Sequence, residues 1–397
     1  MPNDSRYALP HFALPSFRGQ FRDFSPQDGV ATVNVTPEES ADVIVVGAGV
    51  IGLMVAYRLS TQGLRVHVLE QREGPGLGVT SGQAGVIHVV QLPFGSMKSK
   101  LARLGNRKYE NIRQELGVKL VRMPALLIVE SLVRIPLLFF AYLYLYANLR
   151  RDFGVSLRRG SGLRKLEPSL SDSVKAGIVV EGYGTIDSNA LVNGLEKNLI
   201  GRGSHITYET GTLKVEARKP WVLGTDKVKV TGRWVVNAAG LNSDEVARLL
   251  GKDFGTLEPG LGVMVVYTGM KLNAIISPLS IEPGSRTKGG AIIPATDGSV
   301  VVGPNLRQVE SKDDMRYTDD DLEQLRRKFQ HLLKSWGTLD RVYTGLRPLS
   351  PTGDFIIDID HAQRLVNLVG IESPGLTAAP EIAEMVANGI RAEMNRL

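Results

Sequence analysis

The chain has 397 residues, long for one hydrophobic core and suited to two closely connected ones. It contains no cysteine, which excludes disulfides, thiolate zinc sites, cysteinyl iron–sulfur clusters and a catalytic thiol. Lys and Arg outnumber Asp and Glu by 47 to 41, a modest basic excess without the interleaved aromatic and basic residues of a nucleic-acid-reading surface.

Residues 1–39 carry Pro, Gly and scattered aromatics with no sustained period and no apolar core of a secretion signal. They read as an N-terminal arm, either loose or packing Phe12, Phe17 and Phe21 on the body. No stretch reaches the roughly 20 apolar residues of a spanning helix, so the expected location is the cytoplasm.

Residues 42–70, DVIVVGAGVIGLMVAYRLSTQGLRVHVLE, read as strand, glycine turn, helix and second strand. The β-branched run at 43–46 suits a strand buried on both faces of a parallel sheet. Gly47, Gly49 and Gly52 have GxGxxG spacing. Gly47 permits the tight turn, Gly49 lets a pyrophosphate approach the backbone, and Gly52 lets the helix sit close to the sheet. The helix N-terminus offers N–H groups and a partial positive charge to phosphates. Glu70 ends the second strand where an acid can accept hydrogen bonds from ribose hydroxyls, and its charge disfavours a 2′-phosphate. The context predicts a dinucleotide site.

Farther along, Leu132–Leu149 (LVRIPLLFFAYLYLYANL) is apolar or aromatic on every face from Ile135 to Ala147. Arg150, Arg151, Arg158, Arg159, Arg164 and Lys165 follow, with only Asp152 opposing them. A helix without a polar face is buried in protein or meets lipid, and Tyr142, Tyr144 and Tyr146 favour an apolar–wet interface. Peripheral membrane contact, a buried helix and an oligomer contact all remain open.

Residues 234–243 (WVVNAAGLNS) read as a strand, a small-residue turn and a helix beginning near Ser243. Apolar runs at 262–266, 274–279, 291–294 and 299–302 predict strands, with a hairpin at Asp297 and Gly298. Residues 319–335 read as a helix capped by Asp319. The chain closes with a strand at 365–370, the turn IESPGLTAAP and a helix over 381–394. His67, His205, His331 and His361 show no ligand spacing, so no metal site is expected. A ligand touched by the start, middle and end of the chain fits FAD better than NAD.

These segments resemble the D-amino-acid-oxidase-like superfamily of FAD-dependent oxidoreductases, and most of all FAD-dependent glycerol-3-phosphate dehydrogenases of the anaerobic type and L-2-hydroxyglutarate dehydrogenases. The resemblance covers roughly residues 40–397. It is carried by GAGVIG at 47–52, Glu70, TSGQAGVIH at 80–88, LEP at 166–168, GTID at 184–187 and VVNAAGLNSDEVA at 235–247. It continues through KGGAIIPATDGSVVVGP at 288–304, TGLRPLSPTGDFII at 344–357 and LVGIESPGLTAAPEIAE at 368–384. Gln83 and Ala84 depart from the Asn-Ser common in the relatives, and no iron–sulfur extension is present.

The resemblance implies an α/β fold: a Rossmann-like FAD-binding domain with a parallel sheet, and a substrate domain built on an antiparallel sheet with helices. The expected division is 40–118, 181–256 and 344–397 for FAD, and 119–180 and 257–343 for substrate. Gly47, Gly49, Val50, Ile51 and Gly52 would lie under the pyrophosphate, Glu70 at the adenosine ribose, and Thr80 and Ser81 at the pyrophosphate or flavin end. Val215 would frame the adenine through its backbone, and Ala239 and Gly240 would pass near the ribityl or pyrophosphate chain. Gly345 and Arg347 would sit over the isoalloxazine, and Gly375, Leu376 and Thr377 at its pyrimidine edge. Backbone donors at a helix N-terminus suit the charge of a reduced flavin there.

The guanidinium fork of Arg347 suits a carboxylate or phosphate; a surface salt bridge is its plain alternative. His88 is a candidate base or a structural histidine, and Lys288 a second candidate for the anion. The implied activity is oxidation of the secondary alcohol of a small anion, sn-glycerol 3-phosphate first, a 2-hydroxy acid second and an amine or amino acid third. The electron acceptor would be a quinone or partner protein. A flavin-binding electron-transfer subunit without turnover is the non-enzymatic rival.

Overall fold

The β-branched run at 43–46 lies at the centre of an eight-stranded sheet in the computed structural model, which describes residues 37–279 and 289–394. Strand Glu38–Val46 pairs in parallel with Val66–Leu69 on one side and Lys229–Asn237 on the other. Leu365–Val369 and His205–Thr207 extend the parallel set outward. Ile356–Asp360 closes one edge antiparallel, and the hairpin Lys214–Arg218 with Trp221–Gly224 hangs on Lys229–Asn237. Val43, Ile44 and Val45 are fully buried, as a strand covered on both faces requires. Helices Val50–Thr61, Ser188–Gly201, Met97–Leu116 and Gly375–Met394 cover one face and share its core.

The second, ten-stranded sheet is mostly antiparallel. Glu258–Thr268 pairs with Thr338–Leu349 and Val300–Gly303, and the ladder runs on through Ala291–Pro294, Ile275–Pro278, Leu120–Val129 and Ala176–Ile186 to Val86–Ile87. The expected borders at 180/181 and 343/344 are corrected: each falls inside a strand of this sheet. The ladder from 258–263 to 344–349 is unbroken, and Thr185 and Gly184 pair with Val86 and Ile87. Residues 38 and 39, assigned to the arm, open the first strand; Phe12, Phe17 and Phe21 lie outside the described residues.

Two helix boundaries also differ from expectation. Thr318, not Asp319, caps helix Asp319–Phe329, exchanging bonds with Asp321 in a capping box. The last helix begins at Gly375 and runs through Pro380. Pro380 cannot bond the Leu376 carbonyl, and the Tyr109 hydroxyl donates to that oxygen instead. The helix can therefore pass a proline without an orphaned acceptor.

The apolar segment forms a short turn, Leu132–Arg134, and helix Ile135–Leu149. Only Leu138, Leu145 and Leu149 of the helix are buried, so it is covered along one stripe. Leu132–Leu149 spans 18 residues, within reach of a bilayer thickness by length and composition.

Candidate active site

A cavity of about 1350 Å³ opens where the glycine turn, the strand ends and the second sheet meet. Its wall includes Gly47, Gly49, Val50, Ile51, Glu70, Thr80, Ser81, His88, Ala239, Gly240, Gly345, Arg347, Gly375 and Leu376. These residues come from the start, middle and end of the chain, as the dispersed motifs predicted.

The three glycines of the turn do different things. Gly47 has φ +106°, and a Cβ there would stand 2.5 Å from the Ala238 carbonyl oxygen. A Cβ on Gly52 would stand 2.0 Å from the Gly47 oxygen, so Gly52 serves helix–sheet packing and is off the cavity wall. Gly49 is different. Its Cβ would meet only Thr80 Oγ1, at 3.4 Å, so the protein's own packing does not require glycine there. The open space lies on the cavity side of the helix N-terminus.

Thr80 Oγ1 accepts from the Val50 N–H at 3.0 Å. Glu70 accepts from the Ala48 N–H at 2.7 Å and the Arg72 N–H at 2.8 Å, one bond on each oxygen. It thus ties the glycine turn to the end of the second strand at the cavity wall. Ser81 Oγ donates to the Gly78 carbonyl at 2.9 Å.

At the other end, Arg347 stands on strand Thr338–Leu349 with its side chain 19% exposed. Its Nη1 is 3.8 Å from Glu372 Oε2, and Lys98 Nζ is 3.3 Å from Glu372 Oε1. Burial pushes the guanidinium below its ordinary pKa, and the Glu372 carboxylate pushes it back up. Lys98 and Glu372 were not foreseen. The signal existed for Lys98: it shares a helical stripe with Leu101, Ala102, Gly105 and Tyr109, all buried, where a lysine needs a partner. Gly345 is needed where its strand crosses Gly82, since a Cβ on Gly345 would be 2.5 Å from the Gly82 carbonyl oxygen.

His88 borders the same end. Its N–H donates to Thr377 Oγ1 at 3.0 Å, its carbonyl accepts from Asn106 at 2.9 Å, and its ring stands edge-on to Tyr183 at 6.0 Å. Burial pushes the Tyr183 phenol up to about 12, so it stays neutral.

Three of the expected residues lie off the cavity wall. Thr377 is fully buried behind the wall, where its hydroxyl joins His88 and Val86 to the last helix. Gly52 is a packing residue, as above. Val215 is half-buried against the apolar cluster around Trp221 and Leu223, because strand Lys214–Arg218 has already left the cavity; residues 210–213 form the rim. Lys288 lies outside the described residues.

Linear spacing also missed a cluster away from the cavity. Glu39, His67 and His205 bring ligand-type atoms within 4.8 Å of one another. His67 and His205 are register partners on adjacent strands, and their Nδ1 atoms lie 3.0 Å and 3.1 Å from one Glu39 oxygen. Two imidazole N–H groups donating to one carboxylate account for that geometry.

The residues fit the FAD that the sequence implied. The glycine cradle at Gly49 lines the cavity and has room beside it, and Gln83 on the wall carries a buried Nε2 with no protein partner, which offers a donor to a ligand. The chain is similar to a glycerol 3-phosphate dehydrogenase of Caloramator mitchellensis, 25% identical over 86% of this chain and 72% of that protein. It is 26% identical to a mitochondrial L-2-hydroxyglutarate dehydrogenase of Arabidopsis thaliana over 88% of this chain and 83% of the other. Its fold matches the dithionite-reduced L-α-glycerophosphate oxidase of Mycoplasma pneumoniae with FAD bound, at TM-score 0.80 and 26% identity, over 89% of this chain and 95% of that one. The family model for FAD-dependent oxidoreductases matches residues 42–388, so the chain is an enzyme of that family and FAD is its cofactor.

Proposed function

We propose that this flavoenzyme oxidises the secondary alcohol of a small anionic substrate, with sn-glycerol 3-phosphate the first candidate. The observation that carries the reading is the buried trio of Arg347, Glu372 and Lys98 on the cavity wall. Two cations share one carboxylate, and an anion completes the set; a buried charge is costly without a partner. Glu372 lies nearer Lys98 than Arg347, so the arginine fork remains open to substrate. The names of the relatives support the same substrate class.

Bound FAD supplies the two-electron oxidation. The chain's own residues do the rest. Arg347 holds the anionic group and thereby fixes the direction of the reacting C–H bond. Lys98 holds Glu372 away from full neutralisation of Arg347. His88 takes the hydroxyl proton, beside a Tyr183 phenol that stays protonated. The electron acceptor is a quinone or a partner protein. A 2-hydroxy acid such as L-2-hydroxyglutarate is the second reading, favoured by the match of a planar guanidinium to a carboxylate.

The test is anaerobic addition of glycerol 3-phosphate, L-2-hydroxyglutarate and several amino acids to the FAD-loaded protein. Bleaching of the flavin band by glycerol 3-phosphate supports the first reading. Bleaching by the hydroxy acid alone moves the assignment to the second. If no compound bleaches it, substrate oxidation is lost as a reading and an electron-transfer subunit takes its place.

A further inference from the structure

We infer that the turn Leu132–Arg134 and helix Ile135–Leu149 form a docking surface for an anionic lipid bilayer. The helix has no charged residue in its 15 positions, yet most of its surface is uncovered. Val133 is 87% exposed, Phe140 68% and Leu132 66%. A continuous apolar surface of this kind on a folded protein marks a contact with something else.

The way the helix is held decides how it meets that partner. Leu138, Leu145 and Leu149 anchor it to the second sheet's core at both ends of its length. A helix fixed along its side lies on a membrane rather than through it. Tyr142, Tyr144 and Tyr146 place rings with polar tips where apolar and wet surroundings meet.

Charge chooses between a bilayer and a second copy of the chain. Arg134, Arg150, Arg151, Arg158 and Arg159 are exposed around the helix. Asp152 is the only acid between 131 and 166, and Arg107 already engages it. A two-fold contact between copies brings the same patch of each together, and with it these arginines. Anionic headgroups neutralise them instead.

The docking face also adjoins the cavity. Residues 90–92 line the cavity wall, and Phe94, just beyond, packs on Tyr144 at 5.4 Å between ring centres. Bilayer contact should therefore shield the 90–94 loop together with the helix.

The experiment uses the full FAD-loaded chain and flotation with phosphatidylcholine vesicles, with and without phosphatidylglycerol. Expected is binding to the anionic vesicles that high salt weakens, with slowed amide exchange in 90–94 and 132–149. Phe140→Ser and Val133→Ser alter side chains that the fold does not cover, so flavin content and melting temperature should hold. Each should lower partitioning about tenfold or more. Arg150→Gln with Arg151→Gln should lower it by roughly tenfold or more and flatten the salt dependence. Wild-type protein that ignores both vesicle types overturns the inference. So does a dimer in solution that Phe140→Ser dissociates, which assigns the face to a second copy. Equal binding to neutral and anionic vesicles, indifferent to the arginine changes, overturns the choice of an anionic surface.

Discussion

The Tyr109 hydroxyl donates to the carbonyl of Leu376, the oxygen that Pro380 leaves without a helical partner. The bond is fully buried and joins helix Met97–Leu116 to the last helix beside the cavity. Gly105 allows the approach, because a Cβ there would stand 2.2 Å from the Thr377 oxygen. Tyr109→Phe should cost about 1–3 kcal/mol, the penalty of an unsatisfied buried carbonyl. Pro380→Ala restores an N–H for the same oxygen. The double variant should therefore be less destabilised than the sum of the two single changes. Denaturant unfolding of the four proteins measures the coupling; strict additivity would refute this account.

Gly49 and Gly52 should fail in different ways. Gly49→Val places methyl groups in open cavity space, so the apoprotein should keep its melting temperature while FAD content collapses. Gly52→Ala puts a carbon 2.0 Å from the Gly47 oxygen, which backbone movement must relieve. It should lose about 1–3 kcal/mol of stability or more, as overpacking does. Flavin absorbance per chain and apoprotein melting separate the two. A Gly49→Val protein with full flavin would remove the turn from the cofactor site.

The trio at the anion end gives a kinetic prediction. Arg347→Ala should retain FAD and lose about 2–5 kcal/mol in kcat/KM, roughly thirtyfold to several thousandfold. Arg347→Lys should recover only part of it, since a point charge does not replace the fork. Lys98→Met leaves Glu372 free to neutralise Arg347 and should raise KM about tenfold with a smaller change in kcat. Unchanged kinetics in Lys98→Met would show that the lysine is only structural.

How far the sequence disclosed this site depended on the range of the forces involved. The glycine turn was legible because its spacing, its β-branched strand and its helix are contiguous, and each glycine's steric reason is local. The apolar runs of the second sheet were legible for the same reason. Sheet membership was not: Ala176–Ile186 is apolar whichever sheet it joins, and only its partners Leu120–Val129 and Val155–Arg159 settle the matter. The buried stripe around Lys98 hints that the lysine needs a partner, but nothing in linear spacing names Glu372, 274 residues away, as that partner. Thr377 was placed on the cavity by its neighbours Gly375 and Leu376, but one further step around the helix turns its side chain inward.

Alkaline pH should unfold the protein through its buried phenols. Burial pushes Tyr183 up from 10.0 to about 12. Tyr57 also rises to about 12, through burial and then its bond to Glu115. The sign follows from proton counting. Between the unfolded value of 10.0 and the folded value near 12, the folded chain holds protons that the unfolded chain has released. Stability is therefore fully present below pH 10.0 and falls as pH rises through that window. For the deeply buried Tyr183 the loss should reach about 2–3 kcal/mol at the top of the window. Tyr183→Phe removes the titrating group and should flatten its share of the slope, offset at neutral pH by the lost partner of the Val90 N–H at 3.1 Å. Denaturant midpoints measured across the alkaline range, with tyrosinate absorbance followed in parallel, decide it. A Tyr183→Phe protein with the same alkaline slope as wild type would assign the transition to other groups.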